Sequence, residues 1–200
     1  MEAVRVFSGT AVPLDRSDVD TDQIIPAVWL KRVERTGFGK GLFAAWRDNR
    51  DFVLNEEKYT GATILLAGPN FGTGSSREHA VWAIMDYGFQ AVISPRFGDI
   101  FKNNSGKNGL VTAQVPEAVV RRLMDAVEAD PELEITVDVE RLLISAPKIG
   151  LEEPFPLDHT TQERFLQGLD DIGVTLRVVE DITSFESTRP GFKPAVSASA

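Results

Sequence analysis

The chain has 200 residues and a formal net charge of −9, from 21 basic and 30 acidic residues. This charge argues against a general surface for nucleic acid or anionic membranes, although a local basic site remains compatible with a small anionic ligand. The length, with 42% hydrophobic and 26% charged residues, is typical of one globular domain and excludes a disordered or fibrous chain.

The chain contains no cysteine and only two histidines, His79 and His159. Disulfides are therefore impossible, and we expect a cytoplasmic protein. Iron–sulfur clusters are normally held by cysteine thiolates, and two histidines far apart in sequence argue against zinc, so we expect this chain to bind no metal. No apolar run approaches about 20 residues, and no secretory signal opens the chain, so we expect no membrane association.

The first part of the chain is rich in turn formers. Residues 9–22 combine glycine, proline and aspartate, and the apolar run that follows, 24–30, is interrupted by Pro26. Three glycines lie within residues 36–41, and we expect a flexible loop there. Because mobile loops often carry binding residues on a rigid scaffold, this loop is a candidate for ligand contact.

The middle of the chain alternates between short β-branched apolar runs and segments with helical signals. This alternation predicts an α/β fold with a largely parallel central sheet flanked by helices. The predicted elements are strands at 62–68, 91–95 and 109–115, and helices at 75–88 and 97–104.

The remainder predicts one helix with an apolar stripe, a hairpin, and two further helices before a frayed end. These elements are a helix at 117–129, strands at 133–139 and 141–147, and helices at 159–167 and 169–182. There is no internal repeat and no interdomain linker. We therefore expect one domain over residues 1–186, with a helical C-terminal extension, and a flexible tail over 187–200.

The segment PNFGTGSSREHA, residues 69–80, joins a predicted buried strand to a predicted helix. Gly72 and Gly74 carry no side chains, so backbone N–H groups can approach a ligand closely, and a helix start adds unpaired donors. Such an arrangement binds phosphate or carboxylate, and the planar guanidinium of Arg77 suits carboxylate. Alternatively, Ser75 only caps the helix, at the S-x-x-E spacing of a capping box, and the glycines only form a tight turn.

Two other segments contain candidate polar groups. In VDTDQIIP, residues 19–26, Asp22 either belongs to a turn or positions a neighbouring catalytic group. In SPRFGDIFKNNSGKNGL, residues 94–110, three basic residues either add positive potential near an anion or lie on a solvated helix; they are Arg96, Lys102 and Lys107. His79 lies one turn inside its predicted helix, and a structural role is favoured over that of a general base.

The segments VDTDQIIPAVWLKRV, GPNFGTGSSREHA and SPRFGDIFKNNSGKNGL occur in this order and closely resemble the small subunits of isopropylmalate isomerases (3-isopropylmalate dehydratases). These subunits belong to the aconitase swivel-domain superfamily. The resemblance implies a swivel-type α/β fold and a heterodimer, or larger assembly, with a large subunit that holds a [4Fe–4S] cluster. It implies a subunit that is inactive alone and that, with its partner, converts 2-isopropylmalate to 3-isopropylmalate through isopropylmaleate in leucine biosynthesis.

The same resemblance implies roles for individual residues. Ser75, the first serine of GSSR, matches the catalytic base, and Asp22 matches an active-site aspartate. Ser76 and Arg77 match residues that bind the carboxylate of the dicarboxylate substrate. A free serine hydroxyl is a weak base, so this role requires that the glycine-loop amides and the helix start stabilise its alkoxide.

Substrate specificity is implied by the loop after Asp22. In aconitases an arginine of this loop binds the additional carboxylate of citrate, and the aligned position is Val33, with Arg32 adjacent. We therefore expect Leu30 and Val33 to contact an isopropyl group, which gains from burial and needs no ion pair. The alternatives are the small subunit of a homoaconitase or a methylmalate-type hydro-lyase, or a non-catalytic module that binds a dicarboxylate.

Overall fold

The computed structural model describes residues 1–31 and 36–190. The described strands are β1 (Val6–Gly9), β2 (Ala11–Leu14), β3 (Ile64–Ala67), β4 (Ala91–Ser94), β5 (Val111–Gln114), β6 (Ile135–Asp138), β7 (Leu143–Ala146) and β8 (Leu151–Pro154). The described α-helices are α1 (Thr21–Ile24), α2 (Ala44–Arg47), α3 (Glu78–Tyr87), α4 (Asp99–Asn108), α5 (Glu117–Ala129), α6 (His159–Gln167), α7 (Asp171–Leu176) and α8 (Val179–Ser187). Short 3₁₀ helices lie at Ala27–Lys31, Phe38–Gly41, Val53–Asn55, Glu57–Tyr59 and Pro147–Ile149.

The fold is built on a parallel sheet with the strand order β2-β3-β4-β5. Its strands are almost entirely buried, which fits a parallel sheet covered on both faces, and α5 packs across β2, β3 and β4. The predicted α/β class and the three predicted strands of the middle region are confirmed. Strand β2 was missed because it contains Pro13, which a sheet tolerates here only because β2 is an edge strand.

A second sheet is antiparallel, with the strand order β1-β6-β7-β8. The predicted hairpin corresponds to β6 and β7 and is confirmed. The outer strands β1 and β8 were not predicted. Both lie at edges of the sheet and bury few side chains, so their sequences lack a strong alternating pattern.

The helix predicted at 75–88 begins later than expected. It starts at Glu78, its N-cap is Arg77, and no side chain caps it. The predicted capping box of Ser75 and Glu78 is therefore wrong, because Ser75 lies before the helix in irregular backbone. Elsewhere, the helix predicted at 97–104 extends to Asn108 as α4, and the one predicted at 169–182 is divided into α7 and α8.

The glycine-rich segment 36–41 was predicted to be flexible, but it forms a packed 3₁₀ turn against α3. The Gly39 N–H donates to the Asp86 carboxylate at 2.8 Å, and a Cβ added at Gly39 would lie 2.8 Å from the Asp86 carbonyl carbon. A Cβ at Gly41 would lie 2.5 Å from the Trp29 ring. These glycines therefore serve close packing rather than flexibility.

None of the described helices combines the length and the apolar character that a membrane crossing requires. The last ten residues of the predicted tail, 191–200, lie outside the described residues. The predicted single domain over residues 1–186 stays a prediction.

Candidate active site

Three loops meet at the carboxyl edge of the parallel sheet. They are residues 15–20 after β2, residues 68–77 after β3 (the serine loop) and residues 95–98 after β4. Because parallel strands release their loops at the same edge, segments far apart in sequence come together there, where ligands bind in such sheets.

Backbone hydrogen bonds join the serine loop to both neighbouring loops. On one side, Gly72 donates to the Val19 carbonyl at 2.7 Å, and Thr21 donates to the Thr73 carbonyl at 2.9 Å. On the other side, Phe71 donates to the Arg96 carbonyl at 3.0 Å. The serine loop is therefore held in register on both sides by main-chain bonds, independently of its own side chains.

The loop after β2 is fastened at its start and its end. Arg121 of α5 donates two hydrogen bonds to the Asp15 carboxylate, at 2.7 and 2.8 Å, and these bonds lower the pKa of Asp15. Asp20 caps α1 by accepting from the Gln23 N–H at 2.8 Å, while the Gln23 side chain accepts from the Asp20 N–H at 2.9 Å. This reciprocal capping box places Asp22 in the first turn of α1.

Asp22 and Arg77 form an ion pair between α1 and the end of the serine loop. The Arg77 side chain is 18% exposed and the Asp22 side chain 56%, so the guanidinium is largely enclosed while the carboxylate faces outward. An exposed carboxylate adds little stability through such a pair. The ion pair instead orients the Arg77 guanidinium, because it fixes this planar donor beside Ser75 and Ser76.

The two glycines of the serine loop have different roles. Gly72 is buried with φ +74°, and a Cβ there would lie 2.3 Å from the Phe101 ring. Its N–H is already bonded to the Val19 carbonyl, and a role of Gly72 in substrate binding stays a prediction. Gly74 is exposed with φ +92°, a conformation that favours glycine, and it turns the chain outward before Ser75.

Backbone donors without an acceptor lie on both sides of Ser75 along the chain. Within the described part of the chain, the N–H groups of residues 74–77 have no hydrogen-bond acceptor. The first N–H groups of α3 lack intrahelical acceptors by geometry, and the helix start carries partial positive charge. Ser75 and Ser76 are exposed at this position. The arrangement fits the binding of a carboxylate and the stabilisation of a serine alkoxide.

The predicted site residues are brought together in part. Asp22, Ser75, Ser76 and Arg77 lie at one edge of the sheet, while Leu30 is half-buried on the 3₁₀ helix that follows α1. Val33 and Arg32 lie outside the described residues. The predicted contacts of Leu30 and Val33 with substrate stay predictions.

The basic candidates of residues 94–110 are separated by the fold. The side chain of Lys107 lies 3.7 Å from the Asp171 carboxylate at the start of α7, and Lys102 lines a small pocket with Asp158 and Thr161. Arg96 is exposed at the end of β4, where its carbonyl accepts from the serine loop. Only Arg96 therefore adjoins the candidate site.

His79 packs among aromatic rings, with ring centroids 5.4 Å from Phe38 and 4.7 Å from Trp82. This packing supports the structural role predicted for it. Among the described residues, no group of three or more histidine, cysteine, aspartate or glutamate side chains is placed to hold a metal ion.

Two buried hydroxyls were missed by the sequence analysis. Thr21 donates to the Ser75 carbonyl at 3.0 Å, and the Ser94 hydroxyl lies 2.8 Å from the Gly68 carbonyl. Nothing in the sequence distinguishes them from other hydroxyl residues, because their partners in the serine loop lie 54 and 26 positions away.

Comparison with known proteins assigns the chain to one family. The model of the aconitase C-terminal domain family matches residues 1–118. A 3-isopropylmalate dehydratase small subunit of Frankia alni is 58% identical over 195 residues, which are 98% of this chain and 99% of that one. One from Rubrobacter xylanophilus is 57% identical, over 98% of this chain and 100% of that one.

A solved structure shares the fold. It is a 3-isopropylmalate dehydratase of Methanocaldococcus jannaschii, with a TM-score of 0.65 at 24% identity, over 90% of this chain and 99% of that one. The aconitase C-terminal domain model covers more than half of this chain, and relatives that align over nearly its whole length are identical at more than half of the positions. This chain belongs to the aconitase C-terminal domain family and, within it, to the 3-isopropylmalate dehydratase small subunits.

Proposed function

We propose that this chain serves as the small subunit of a 3-isopropylmalate dehydratase, which interconverts 2-isopropylmalate and 3-isopropylmalate through isopropylmaleate in leucine biosynthesis in the cytoplasm. The observation that carries the proposal is the exposed Ser75, which lies beside unpaired amides and the Arg77 guanidinium. The relatives named as small subunits of this enzyme support it, since they match nearly the whole chain.

Ser75 acts in this proposal as the base that removes a proton from a substrate carbon when water is eliminated. A serine alkoxide forms readily only where preorganised donors stabilise its charge. The unpaired N–H groups of residues 74–77 and the start of α3 supply such donors in this proposal. The protonated serine returns the proton when water is added in the other sense.

Substrate binding falls to the residues beside Ser75. Arg77 binds a substrate carboxylate with two parallel hydrogen bonds, and the hydroxyl of Ser76 adds a third donor. Asp22 keeps the guanidinium in position through the ion pair. Leu30 and Val33 provide the apolar contact for the isopropyl group.

The remaining part of the active site belongs to a partner chain. Ser75 and Ser76 are exposed, and a reaction that eliminates water needs an enclosed site. The chain has no cysteine, and its described residues do not fit a metal centre, so the [4Fe–4S] cluster is expected in the large subunit. The chain alone is therefore inactive in this proposal.

The test is reconstitution of the purified chain with its cysteine-bearing large subunit, loaded with iron and sulfide. Turnover of isopropylmalate is expected in the mixture and in neither chain alone. Turnover by this chain alone, or a mixture that binds the dicarboxylate without converting it, would contradict the proposal, and the second result would favour a binding module.

Substrate choice is tested by Val33→Arg in the assembled enzyme. An unpaired cation facing an alkyl group is costly, so kcat/KM for isopropylmalate should fall relative to an analogue that carries a carboxylate at that position. Val28→Arg, a change at an exposed position of the preceding 3₁₀ helix, is the matched control. An unchanged ratio in Val33→Arg would leave the homoaconitase alternative open.

A further inference from the structure

Two of the buried polar side chains in the described part of the chain, Thr21 and Ser94, lie within hydrogen-bond distance of carbonyls of the serine loop. Thr21 is 3% exposed and its hydroxyl donates to the Ser75 carbonyl at 3.0 Å. Ser94 is fully buried, and its hydroxyl lies 2.8 Å from the Gly68 carbonyl and 2.9 Å from the Arg96 carbonyl, either of which can accept its proton. A buried hydroxyl therefore contacts the serine loop at each of two places, Ser94 at its start and Thr21 at the carbonyl of Ser75.

The bond from Thr21 has a consequence that the bond from Ser94 lacks. The Ser75 carbonyl and the Ser76 N–H belong to one planar trans peptide, in which they point in opposite directions. Thr21 holds the carbonyl toward the buried side of the loop. The Ser76 N–H, which has no acceptor in the described residues, must therefore point toward the exposed side.

We propose that Thr21 is a positioning residue, whose hydroxyl holds the Ser75 carbonyl and thereby directs the Ser76 N–H toward the charge that develops at Ser75. The inference rests on the proposed catalytic role of the serine loop. Without the hydroxyl, the peptide between Ser75 and Ser76 is free to rotate, and the Ser76 N–H is no longer held in the orientation that stabilises the alkoxide.

Thr21 is itself rigidly placed, which makes it suited to this role. Its N–H donates to the Thr73 carbonyl at 2.9 Å, and its own carbonyl accepts from the Ile25 N–H at 3.0 Å. It is the first residue of α1, directly after the capping aspartate Asp20. The hydroxyl therefore extends from a backbone that is fixed by two main-chain bonds and by a capped helix.

Thr21→Val tests the inference in the assembled two-chain enzyme, because valine keeps the branched shape and both main-chain bonds but removes the hydroxyl. Loss of one donor to a developing oxyanion lowers kcat by about 10²–10³, and a misdirected donor costs less, so we expect a fall of about 10- to 100-fold. We expect KM to change less than about threefold, since the donor acts mainly on charge formed in the transition state. Thr21→Ser keeps the hydroxyl and should restore kcat.

Ser94→Ala is the control, because it removes a buried hydroxyl that contacts the Gly68 carbonyl and the Arg96 backbone but not the Ser75–Ser76 peptide. We expect its kcat to stay within about threefold of the unchanged enzyme. Thermal unfolding of each variant separates loss of stability from loss of positioning. Equal losses of kcat in Thr21→Val and Ser94→Ala, or no recovery in Thr21→Ser, would overturn the inference.

A second measurement uses the full chain without its partner and does not depend on activity. The ¹⁵N–¹H resonance of Ser76 should shift in Thr21→Val, return in Thr21→Ser, and stay in place in Ser94→Ala. An unmoved resonance in Thr21→Val overturns the inference whatever the kinetics show. If the assembled enzyme without any substitution is inactive, the proposed function is overturned. A shift of the Ser76 resonance in Thr21→Val would still support the orientation of this amide by Thr21.

Discussion

The substitution Ser75→Ala separates catalysis from folding, because the structure assigns Ser75 no part in stability. The residue is exposed, precedes α3 rather than capping it, and its hydroxyl makes no hydrogen bond within the described residues. Removal of a true cap costs about 1 kcal/mol, whereas a surface change away from such features stays within about 0.5 kcal/mol. We therefore expect an unchanged unfolding temperature.

The expected effect on turnover is large. Loss of a proton-transfer group lowers the rate by about 10²–10⁴, which corresponds to about 2.7–5.4 kcal/mol of lost transition-state stabilisation. The assay is kcat for isopropylmalate in the reconstituted two-chain enzyme, with assembly checked by size-exclusion chromatography. Ser17→Ala, at an exposed serine of the neighbouring loop, is the control and should keep normal kcat.

Two results would refute this reasoning. Near-normal kcat in Ser75→Ala would show that another group is the base. A loss of about 1 kcal/mol of stability with normal turnover would show that Ser75 caps α3 in solution, contrary to the backbone described above.

Three further perturbations test the turn at Gly72, the ion pair of Asp22 and the helix cap at Asp158. Gly72→Ala should destabilise the chain by about 1–3 kcal/mol more than Gly61→Ala in denaturant unfolding, because both glycines have a positive φ but only the former would place a Cβ 2.3 Å from a ring; equal losses would refute the steric argument. Asp22→Asn should change stability by less than about 1 kcal/mol yet lower kcat/KM at least about tenfold in steady-state kinetics, since it weakens an exposed pair that orients the guanidinium; unchanged kinetics would remove this role. Hydrogen bonds from Thr161 lower the pKa of Asp158 from 3.8, so its stabilising contribution is present above pH 3.8 and is lost as pH falls through the lower folded value. As the pH falls through that range, the free energy of unfolding should therefore decrease less in Asp158→Asn than in the chain without the substitution. Parallel plots of this free energy against pH for the two chains would contradict the prediction.

The sequence by itself determined the α/β class and the neighbourhood of the site. The apolar runs that became β3, β4 and β5 are short, buried and separated by helical segments, so local periodicity was sufficient to predict them. The absence of cysteine and the three motif segments led to the family and to Ser75, because these are properties of residue identity and order that need no knowledge of the fold.

The tertiary structure alone decided what each residue of the serine loop does. The S-x-x-E spacing pointed to Ser75 as a helix cap, but the helix begins later, and the spacing could not show that the Gly72 N–H is already bonded to Val19. The hydroxyl of Thr21 meets the Ser75 carbonyl across 54 positions of sequence, and Arg77 meets Asp22 across 55. Such contacts arise only when parallel strands bring their loops to one edge of the sheet. Local periodicity does not show which loops lie close together there.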